Sequence, residues 1–526
     1  MKMRKVTALA VSLVLGASML AACGGGDKTE AAASAASAAS SAEAETATEN
    51  AGRDDVKIQF YEEPPTADNH NDASISTGII GANINASLFK LSEDGEPVGA
   101  LADSWEWNDD FTAVTITLKD DIKFSDGSDI TAEDVVFSME RGKEAGFSTY
   151  YAYIDSVTAN GDKEVTFSLT QPYAVFLYAL STVNFPVLSK AAIEGGMDIG
   201  RTPNVTSGPY YIEAWNVGSD MVLKANEYYY EGAPEIKTAD LIFMGDENTA
   251  LTALQSGDID FMMSILGLTG SAKSQVEDSE GLHTIPFLNT AYTFLSLNQD
   301  LEYFADENVR KAIDCAINRD DIILAAVDGM GTPASIPIQE GYGGYLDGYS
   351  PTAYDVDKAK EYMAASAYPD GFEFTVLCGT PAWKKVGTTI QSELAEIGIT
   401  VNIEEQEVGT VVTNMFDGNY EAAIMSWSNA CGDVSNLSPI YDTYETSLNL
   451  CNMKDSAIID AMNKSFAVDV DERDEYLKEA YDAMMDQAQY ISIYWPDGYY
   501  AAKDGLELSS KIGVIGEFLI KDMSWK

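Results

Sequence analysis

Strand-like and helix-like segments alternate along this chain, and that alternation restricts its fold more than any other feature. Residues 114–118 are rich in β-branched side chains and predict a strand, and Thr131 then offers a hydroxyl cap to a helix. From Val386 apolar residues recur at helical spacing until Gly398, and residues 399–403 predict another strand. This order predicts α/β lobes with mixed sheets, and neither a barrel nor a helical bundle.

The length of the chain requires more than one lobe. With 526 residues the protein exceeds what one hydrophobic core usually holds, and its 46% of hydrophobic residues are enough for several cores. We therefore expect at least two lobes.

Charge and residue counts exclude several classes of function. The 84 acidic and 32 basic residues give a formal net charge of −52, which repels phosphate backbones, so we expect no nucleic-acid partner. His70 and His283 are too few for a multi-histidine metal site, and we interpret both as solvated or structural. The sequence also lacks the common nucleophile, zinc, phosphate-loop and dinucleotide motifs. We predict a binding protein that is not an enzyme and needs no metal or cofactor.

The amino terminus has the parts of a secretory signal. Three basic residues precede an apolar run over residues 6–20, which is shorter than the roughly 20 residues of a membrane-spanning helix. The small residues before Cys23 resemble the bacterial lipobox, in which this thiol is lipidated. We expect a lipoprotein signal peptide over residues 1–22 and a lipid anchor on Cys23, at the extracellular or periplasmic face of the cell membrane. An ordinary secretory signal with an incidental cysteine is the alternative.

Residues 23–53 form an Ala/Ser-rich tract without aromatic or large aliphatic side chains. Such a tract buries too little apolar surface to offset the entropy of ordering it. We expect a disordered tether that keeps the folded body near an integral-membrane partner.

Four further cysteines leave the disulfide question open, because disulfides are permitted outside the cytoplasm. Cys315 lies in a helical run and Cys378 ends a strand-like run, so we expect both to be buried thiols. Cys431 and Cys451 occur in loop-like sequence and are the pair to test for a disulfide.

Six short segments occur in one order along most of the chain: residues 100–106, 122–127, 131–138, 206–210, 254–260 and 308–313. Together, and behind a lipobox-like signal, they resemble the extracellular solute-binding proteins of family 5, the peptide/nickel class that serves ABC importers. Most of them are fold signatures, with Trp105 and Phe124 expected in the core and Arg310 on a helix surface. They identify the scaffold and carry little information on the ligand.

The resemblance implies an α/β, two-lobed, periplasmic-binding-protein-like fold with mixed sheets and a hinge of two crossing strands. The expected bounds are 54–292 plus 490–526 for the first lobe, about 86–200 for an extra subdomain inserted in it, and 293–489 for the second lobe. The crossing strands are expected near residues 294–298 and 491–494. Closure would bury a small solute between the lobes.

The implied function is the lipid-anchored solute-binding component of an ABC importer. It would capture a small solute, with an oligopeptide as the first candidate, and deliver it to membrane permease subunits while working as a monomer. The same scaffold binding an oligosaccharide, a polyamine or a metal chelate, or acting as a surface sensor, is the alternative. A secreted hydrolase is a further one.

Aromatic and polar residues at strand ends are the candidates for ligand binding, because open α/β sheets bind ligands there. Trp427 follows a strand and matches a cleft tryptophan of the family. The candidates are Trp427, Ser428, Asn429, Asp433, Trp383, Tyr494, Trp495 and Tyr210. Core packing is the alternative for each aromatic residue.

The sequence departs from the peptide-binding members at both ends of a bound peptide. Those members resemble one another in carrying an aspartate three residues after the tryptophan, where this chain has Ala430, with Asp433 close by. No arginine lies between Arg319 and Arg473 to bind a terminal carboxylate, so Lys384 and Lys385 are the candidate anchors. Because an unpaired buried charge is costly, a free dipeptide is disfavoured. A longer peptide held through its backbone, or another cationic or neutral solute, stays open.

Overall fold

A computed structural model describes residues 52–72, 74–146, 148–264, 267–429, 431–437, 456–509 and 518–526. The expected signal peptide, Cys23 and nearly all of the expected tether lie outside these residues, as do Ala430 and Cys451. Within the described ranges, no helix is both long enough and apolar enough to span a bilayer.

The strands are numbered in chain order. They are β1 Asp55–Phe60, β2 Phe89–Leu91, β3 Pro97–Gly99, β4 Ala102–Trp107, β5 Ala113–Leu118, β6 Ile154–Ala159, β7 Glu164–Leu169, β8 Tyr210–Asn216, β9 Asp220–Ala225, β10 Thr238–Phe243, β11 Phe261–Met262, β12 Leu282–Phe287, β13 Ala291–Leu297, β14 Gly331–Pro333, β15 Glu373–Cys378, β16 Thr400–Glu405, β17 Ala422–Ser428, β18 Ile491–Pro496, β19 Gly498–Lys503, β20 Leu506–Leu508 and β21 Met523–Trp525.

Helices connect and cover these strands. The α-helices of the described residues are Ile75–Ile84, Ala132–Ala145, Phe176–Ala179, Lys190–Glu194, Glu247–Ser256, Gly270–Glu277, Glu302–Ala305, Glu307–Ala316, Arg319–Val327, Val356–Ala365, Pro381–Leu394, Val408–Phe416, Ser456–Phe466 and Asp474–Asp486. Short 3-10 helices are Thr149–Tyr153, Ala395–Ile397, Val434–Leu437, Val470–Glu472 and Ile520–Asp522.

The local predictions for β5, β16 and two helices are confirmed. Thr131 and Asp134 form a reciprocal capping box at the start of Ala132–Ala145. The helix Pro381–Leu394 runs into a 3-10 turn that stops at Gly398. Gly398 has a φ of 84°, in the left-handed region that side chains with a Cβ disfavour.

The first lobe is built on a seven-stranded sheet in the order β12-β19-β11-β1-β10-β9-β8. β1 runs parallel to β10 and β11, and the remaining neighbours are antiparallel, so the sheet is mixed as predicted. Its apolar core includes Phe60, Tyr210 and Phe261.

The second lobe is built on a six-stranded sheet in the order β14-β18-β13-β17-β15-β16. β15 pairs in parallel with β16 and β17, while β13 pairs antiparallel with β17 and β18. All seven residues of β13 are buried, as expected for a central strand covered on both faces.

The inserted subdomain contains a four-stranded antiparallel sheet in the order β4-β5-β7-β6, with the hairpin β2-β3 beside it. Phe124 is buried as predicted, but the expectations for Trp105 and Arg310 are wrong. Trp105 is 39% exposed because four residues of β4 face solvent, and its ring meets that of Phe89 edge-on. Arg310 is 4% exposed and donates hydrogen bonds to three backbone carbonyls.

The chain crosses between the lobes twice. The first crossing, residues 288–290, joins β12 to β13, and the second, Asp497, joins β18 to β19. Because β13 and β18 pair with each other, the two crossings are close together. We propose lobe boundaries at these crossings in place of residues 293 and 490, since β13 from Ala291 and β18 through Pro496 belong to the second sheet.

Candidate functional site

The carboxyl ends of the parallel strands in the second sheet place most of the candidate site. β15 ends at Cys378, and the next turn leads into the helix that carries Trp383. β17 ends at Ser428, directly after Trp427. Ligands of open α/β sheets bind at such ends, so the topology brings these candidates to one edge of the sheet.

Trp383 is fixed at this edge by hydrogen bonds of its backbone and its indole. Its N–H donates to Thr380 Oγ1 at 3.1 Å, which caps the helix. Its indole Nε1 donates to Ser426 Oγ at 3.1 Å, and that hydroxyl lies 2.9 Å from Thr293 Oγ1. The ring packs against Gly379, where a Cβ would lie 2.8 Å from it. Trp383 is therefore a rigid side chain that is 6% exposed.

Trp427 is the half-buried member of the predicted aromatic set, whereas Trp383, Tyr494, Trp495 and Tyr210 are 0 to 8% exposed. It lies opposite Tyr292 of β13. Its Nε1 donates to Asn436 Oδ1 at 3.3 Å.

Ser428 and Asn429 shape the end of β17. Ser428 is half-buried opposite Ala291. The buried Asn429 side chain donates to the carbonyl of Asp433 at 3.0 Å and accepts from the N–H groups of Cys431 and Gly432 at 3.2 and 2.9 Å. Asn429 therefore holds the turn that follows Trp427.

Asp433 is paired within the second lobe. Its carboxylate is fully buried, 2.7 Å from Arg473 Nη1, and it accepts from Ser435 N at 2.8 Å. Burial lowers the pKa of Arg473, but the Asp433 charge, the neighbouring Tyr178 and a hydrogen bond to Asp433 together outweigh it and hold that pKa above its ordinary value. The carboxylate is thus neutralised by the protein itself, and its role as a ligand anchor stays a prediction that this pairing does not favour.

Tyr494 and Trp495 lie on β18 beside the second crossing. Tyr494 is opposite Thr293, and burial raises the pKa of its hydroxyl. Trp495 stacks on Tyr292 with ring centroids 4.6 Å apart. Tyr210 belongs to the first lobe instead, where it is fully buried and its hydroxyl donates to the carbonyl of Ile236 at 2.9 Å. The structure therefore gathers seven of the eight candidates in the second lobe and leaves Tyr210 apart.

Cysteine positions agree in part with expectation. Cys315 and Cys378 are buried free thiols, as predicted. Cys431 is a buried free thiol as well, and its suggested partner Cys451 lies outside the described residues.

The sequence did not predict the contacts between the inserted subdomain and the second lobe. We call this set of contacts the seam. We define the seam by Leu91, Gly95, Tyr150, Tyr173, Ala174 and Tyr178 of the subdomain and Gly341, Gly432, Asn436, Phe466 and Arg473 of the second lobe. Ala174 N donates to the carbonyl of Phe466 at 2.7 Å, and Tyr173 meets the Phe466 ring edge-on at 6.2 Å. The tyrosine-rich stretch from Tyr150 to Tyr153 was the one sequence signal for this surface.

Comparison with known proteins places the chain in a family. The bacterial extracellular solute-binding proteins, family 5 middle, match residues 96–447. The oligopeptide-binding protein AppA of Bacillus subtilis (strain 168) is 26% identical over 547 residues, covering 96% of each protein. The probable D,D-dipeptide-binding periplasmic protein DdpA of Escherichia coli (strain K12) is 29% identical over 338 residues, covering 63% of this chain and 65% of that protein.

A solved structure supports the fold independently. HbpA2 from Haemophilus parasuis superposes with a TM-score of 0.81 at 18% identity, over 90% of this chain and 100% of that one. The family match covers more than half of the chain, and the two-lobed architecture agrees with it. The protein belongs to the bacterial extracellular solute-binding proteins of family 5.

Proposed function

We propose that this protein is the lipid-anchored, extracellular binding component of an ABC importer, and that it captures an oligopeptide between its lobes for delivery to permease subunits. Family membership supports the transport role. The similarity along 96% of both chains to a protein named for oligopeptide binding supports the peptide.

The observation that carries the proposal is the half-buried Trp427 at the carboxyl end of β17, beside the seam. The accessible part of a half-buried indole offers stacking area for a side chain or peptide plane, and a strand end offers backbone groups. Asp433 and Arg473 neutralise each other inside the second lobe. A ligand held there by backbone and aromatic contacts, with its charged termini outside, fits a longer peptide better than a dipeptide.

The proposed role includes no bond cleavage. The relatives described above are named as binding proteins. We therefore expect the bound peptide to leave the protein chemically unchanged.

A thermal-shift and calorimetry screen tests this function on the purified full chain. Dipeptides, longer oligopeptides, oligosaccharides, polyamines and metal chelates are compared, and we expect the longer peptides alone to raise the melting temperature by mass action. Mass spectrometry of the recovered peptide checks that it is intact. A response only to a non-peptide solute would overturn the peptide assignment, and cleavage would overturn the binding role.

Two variants give the screen a matched control. Trp427→Ala should abolish or strongly weaken the peptide response. Trp105→Ala removes another partly exposed tryptophan, on β4 of the inserted subdomain, and should leave the response unchanged. Equal behaviour of the two variants would remove Trp427 from the site.

The lipid anchor has its own test. In cells fed an alkyne-labelled fatty acid, the protein should carry label and sediment with membranes, and Cys23→Ser should release it unlabelled. Membrane association of unlabelled Cys23→Ser protein would contradict the anchor.

A further inference from the structure

One amide side chain connects Trp427 to the opposite side of the seam. Asn436 lies in the 3-10 turn Val434–Leu437 that follows β17. Its Oδ1 accepts from Trp427 Nε1 at 3.3 Å, and its Nδ2 donates to the hydroxyl of Tyr150 at 2.8 Å. Trp427 and Asn436 belong to the second lobe, whereas Tyr150 belongs to the inserted subdomain.

The two hydrogen bonds fix the orientation of the amide. An indole N–H can only donate, so the oxygen of Asn436 must face Trp427 and the NH₂ group must face Tyr150. Burial raises the pKa of Tyr150 well above its ordinary value, so its hydroxyl stays neutral and accepts. The Tyr150 hydroxyl therefore supplies an acceptor that favours the orientation in which the amide oxygen faces Trp427.

The 3-10 helix that carries Tyr150 also contacts the first lobe. The neighbouring Tyr151 donates its hydroxyl proton to the carbonyl of Asn184 at 2.7 Å, and His70 Nε2 lies 3.1 Å from the same hydroxyl. Both tyrosines belong to the 3-10 helix Thr149–Tyr153. The second lobe joins the rest of the described chain covalently only through the two crossings, so rotation there moves Asn436 away from Tyr150.

We propose that Asn436 is a positioning residue that holds the Trp427 indole for ligand contact when the inserted subdomain has closed on the second lobe. The inference rests on the proposed function, because that function gives Trp427 its role at the ligand. Trp427 then becomes a contact that is completed by closure, and the hydroxyl of Tyr150, which is linked to Trp427 through Asn436, contributes to affinity.

Fluorine NMR of the full chain labelled with 5-fluorotryptophan tests the connection without any solute. Trp427→Phe identifies the Trp427 resonance. We expect Tyr150→Phe and Asn436→Ala to move this resonance in the same direction, and the double variant to move it no further than Asn436→Ala alone. Tyr151→Phe is the matched control. It removes another hydroxyl of the same 3-10 helix, one that bonds within the first lobe and the subdomain and not across the seam. It should leave the resonance in place.

The outcomes separate the inference from the function. With a binding oligopeptide from the screen, Tyr150→Phe should weaken affinity about fivefold, the effect of losing one ordinary hydrogen bond. A Trp427 resonance unmoved by Tyr150→Phe, or moved equally by Tyr151→Phe, overturns the inference even if peptides bind. Failure of all peptides to bind, with the expected pattern of resonances, overturns the function and leaves the connection through Asn436 in place.

Discussion

The inserted subdomain has two interfaces of different construction. Against the first lobe it uses buried polar and charged groups: Arg141 forms an ion pair with Asp68, and the buried His70 ring lies between Arg141 Nη1 at 2.9 Å and the Tyr151 hydroxyl at 3.1 Å. Ser207 Oγ adds hydrogen bonds to this interface at 2.9 and 2.6 Å. Such networks are costly to break, because each separated group is left unsatisfied.

The seam combines close approach at glycines with apolar packing, because the subdomain and the second lobe share one buried hydrophobic cluster. A Cβ on Gly95 would overlap the carbonyl of Gly341, and a Cβ on Gly432 would overlap the side chain of Leu91. The Asp433–Arg473 pair keeps its charges within the second lobe and presents the guanidinium to the Tyr178 ring at 5.5 Å. We expect the first-lobe interface to persist when the lobes separate and therefore call it the permanent interface. Parting the seam leaves no charge unpaired, but it exposes apolar side chains that the subdomain and the second lobe bury in one cluster.

The largest expected effect is on the permanent interface. Arg141→Met leaves the buried Asp68 carboxylate without its cation, so the free energy of unfolding should fall by about 3 kcal/mol. Urea denaturation measures the change. The control Lys163→Met removes one partner of an exposed pair with Asp120 and should cost well under 1 kcal/mol. Similar small losses for both would show that this interface is not held by its ion pair.

The next effect concerns the seam. Gly95→Ala should disfavour the closed form by about 1–3 kcal/mol, because its methyl group overlaps the second lobe. We expect a larger radius of gyration in small-angle X-ray scattering. Gly161→Ala is the matched control: both glycines have positive φ, 79° and 94°, but nothing lies within 4 Å of a Cβ at Gly161. Equal radii for the two variants would contradict the seam as the closing surface.

Acid should weaken the permanent interface selectively. Burial, and then the Arg141 charge, lowers the pKa of His70 to about 4, below the value of about 6.5 in the unfolded chain. The stability due to neutral His70 is therefore complete above pH 6.5 and is lost as the pH falls toward 4. Thermal unfolding of His70→Gln should lose this part of the pH dependence. His283→Gln, at a half-buried site in β12, should keep it.

The smallest expected effect comes from the aromatic part of the seam. Phe466→Leu keeps an apolar side chain but removes the edge contact with Tyr173, which should shift the closed equilibrium by about 0.5–1 kcal/mol. In small-angle X-ray scattering, the radius of gyration of Phe466→Leu should lie between those of the unchanged protein and of Gly95→Ala. A radius larger than that of Gly95→Ala would place the main closing contact at Phe466.

Local features of the fold were predictable from sequence because their causes are local. The Thr131–Asp134 cap and the stop at Gly398 depend on residues a few positions apart. The seam was not predictable, since Tyr150 and Asn436 are 286 positions apart and share no pattern.

The candidate site was predictable only as far as strand ends mark it. Trp427 and Trp383 lie where their strands end, but the same aromatic chemistry fills the first-lobe core at Tyr210. Asp433 was a candidate for ligand binding because its pairing with Arg473, far along the chain, is not visible in the sequence. Sequence carries the residue type, and only the fold decides whether the group is already paired.

The position of β19 has a consequence for how the molecule is made. This strand lies inside the first sheet, between β12 and β11, although the entire second lobe precedes it in the chain. The bond from Ile520 N to Asn83 Oδ1 joins residues 437 positions apart. Pairing over such separations is slow, and an incomplete first sheet leaves the edges of β11 and β12 open to aggregation. Synthesis of the segment from Gly498 onward therefore decides when the first lobe becomes a folded body, long after its opening strand has been made.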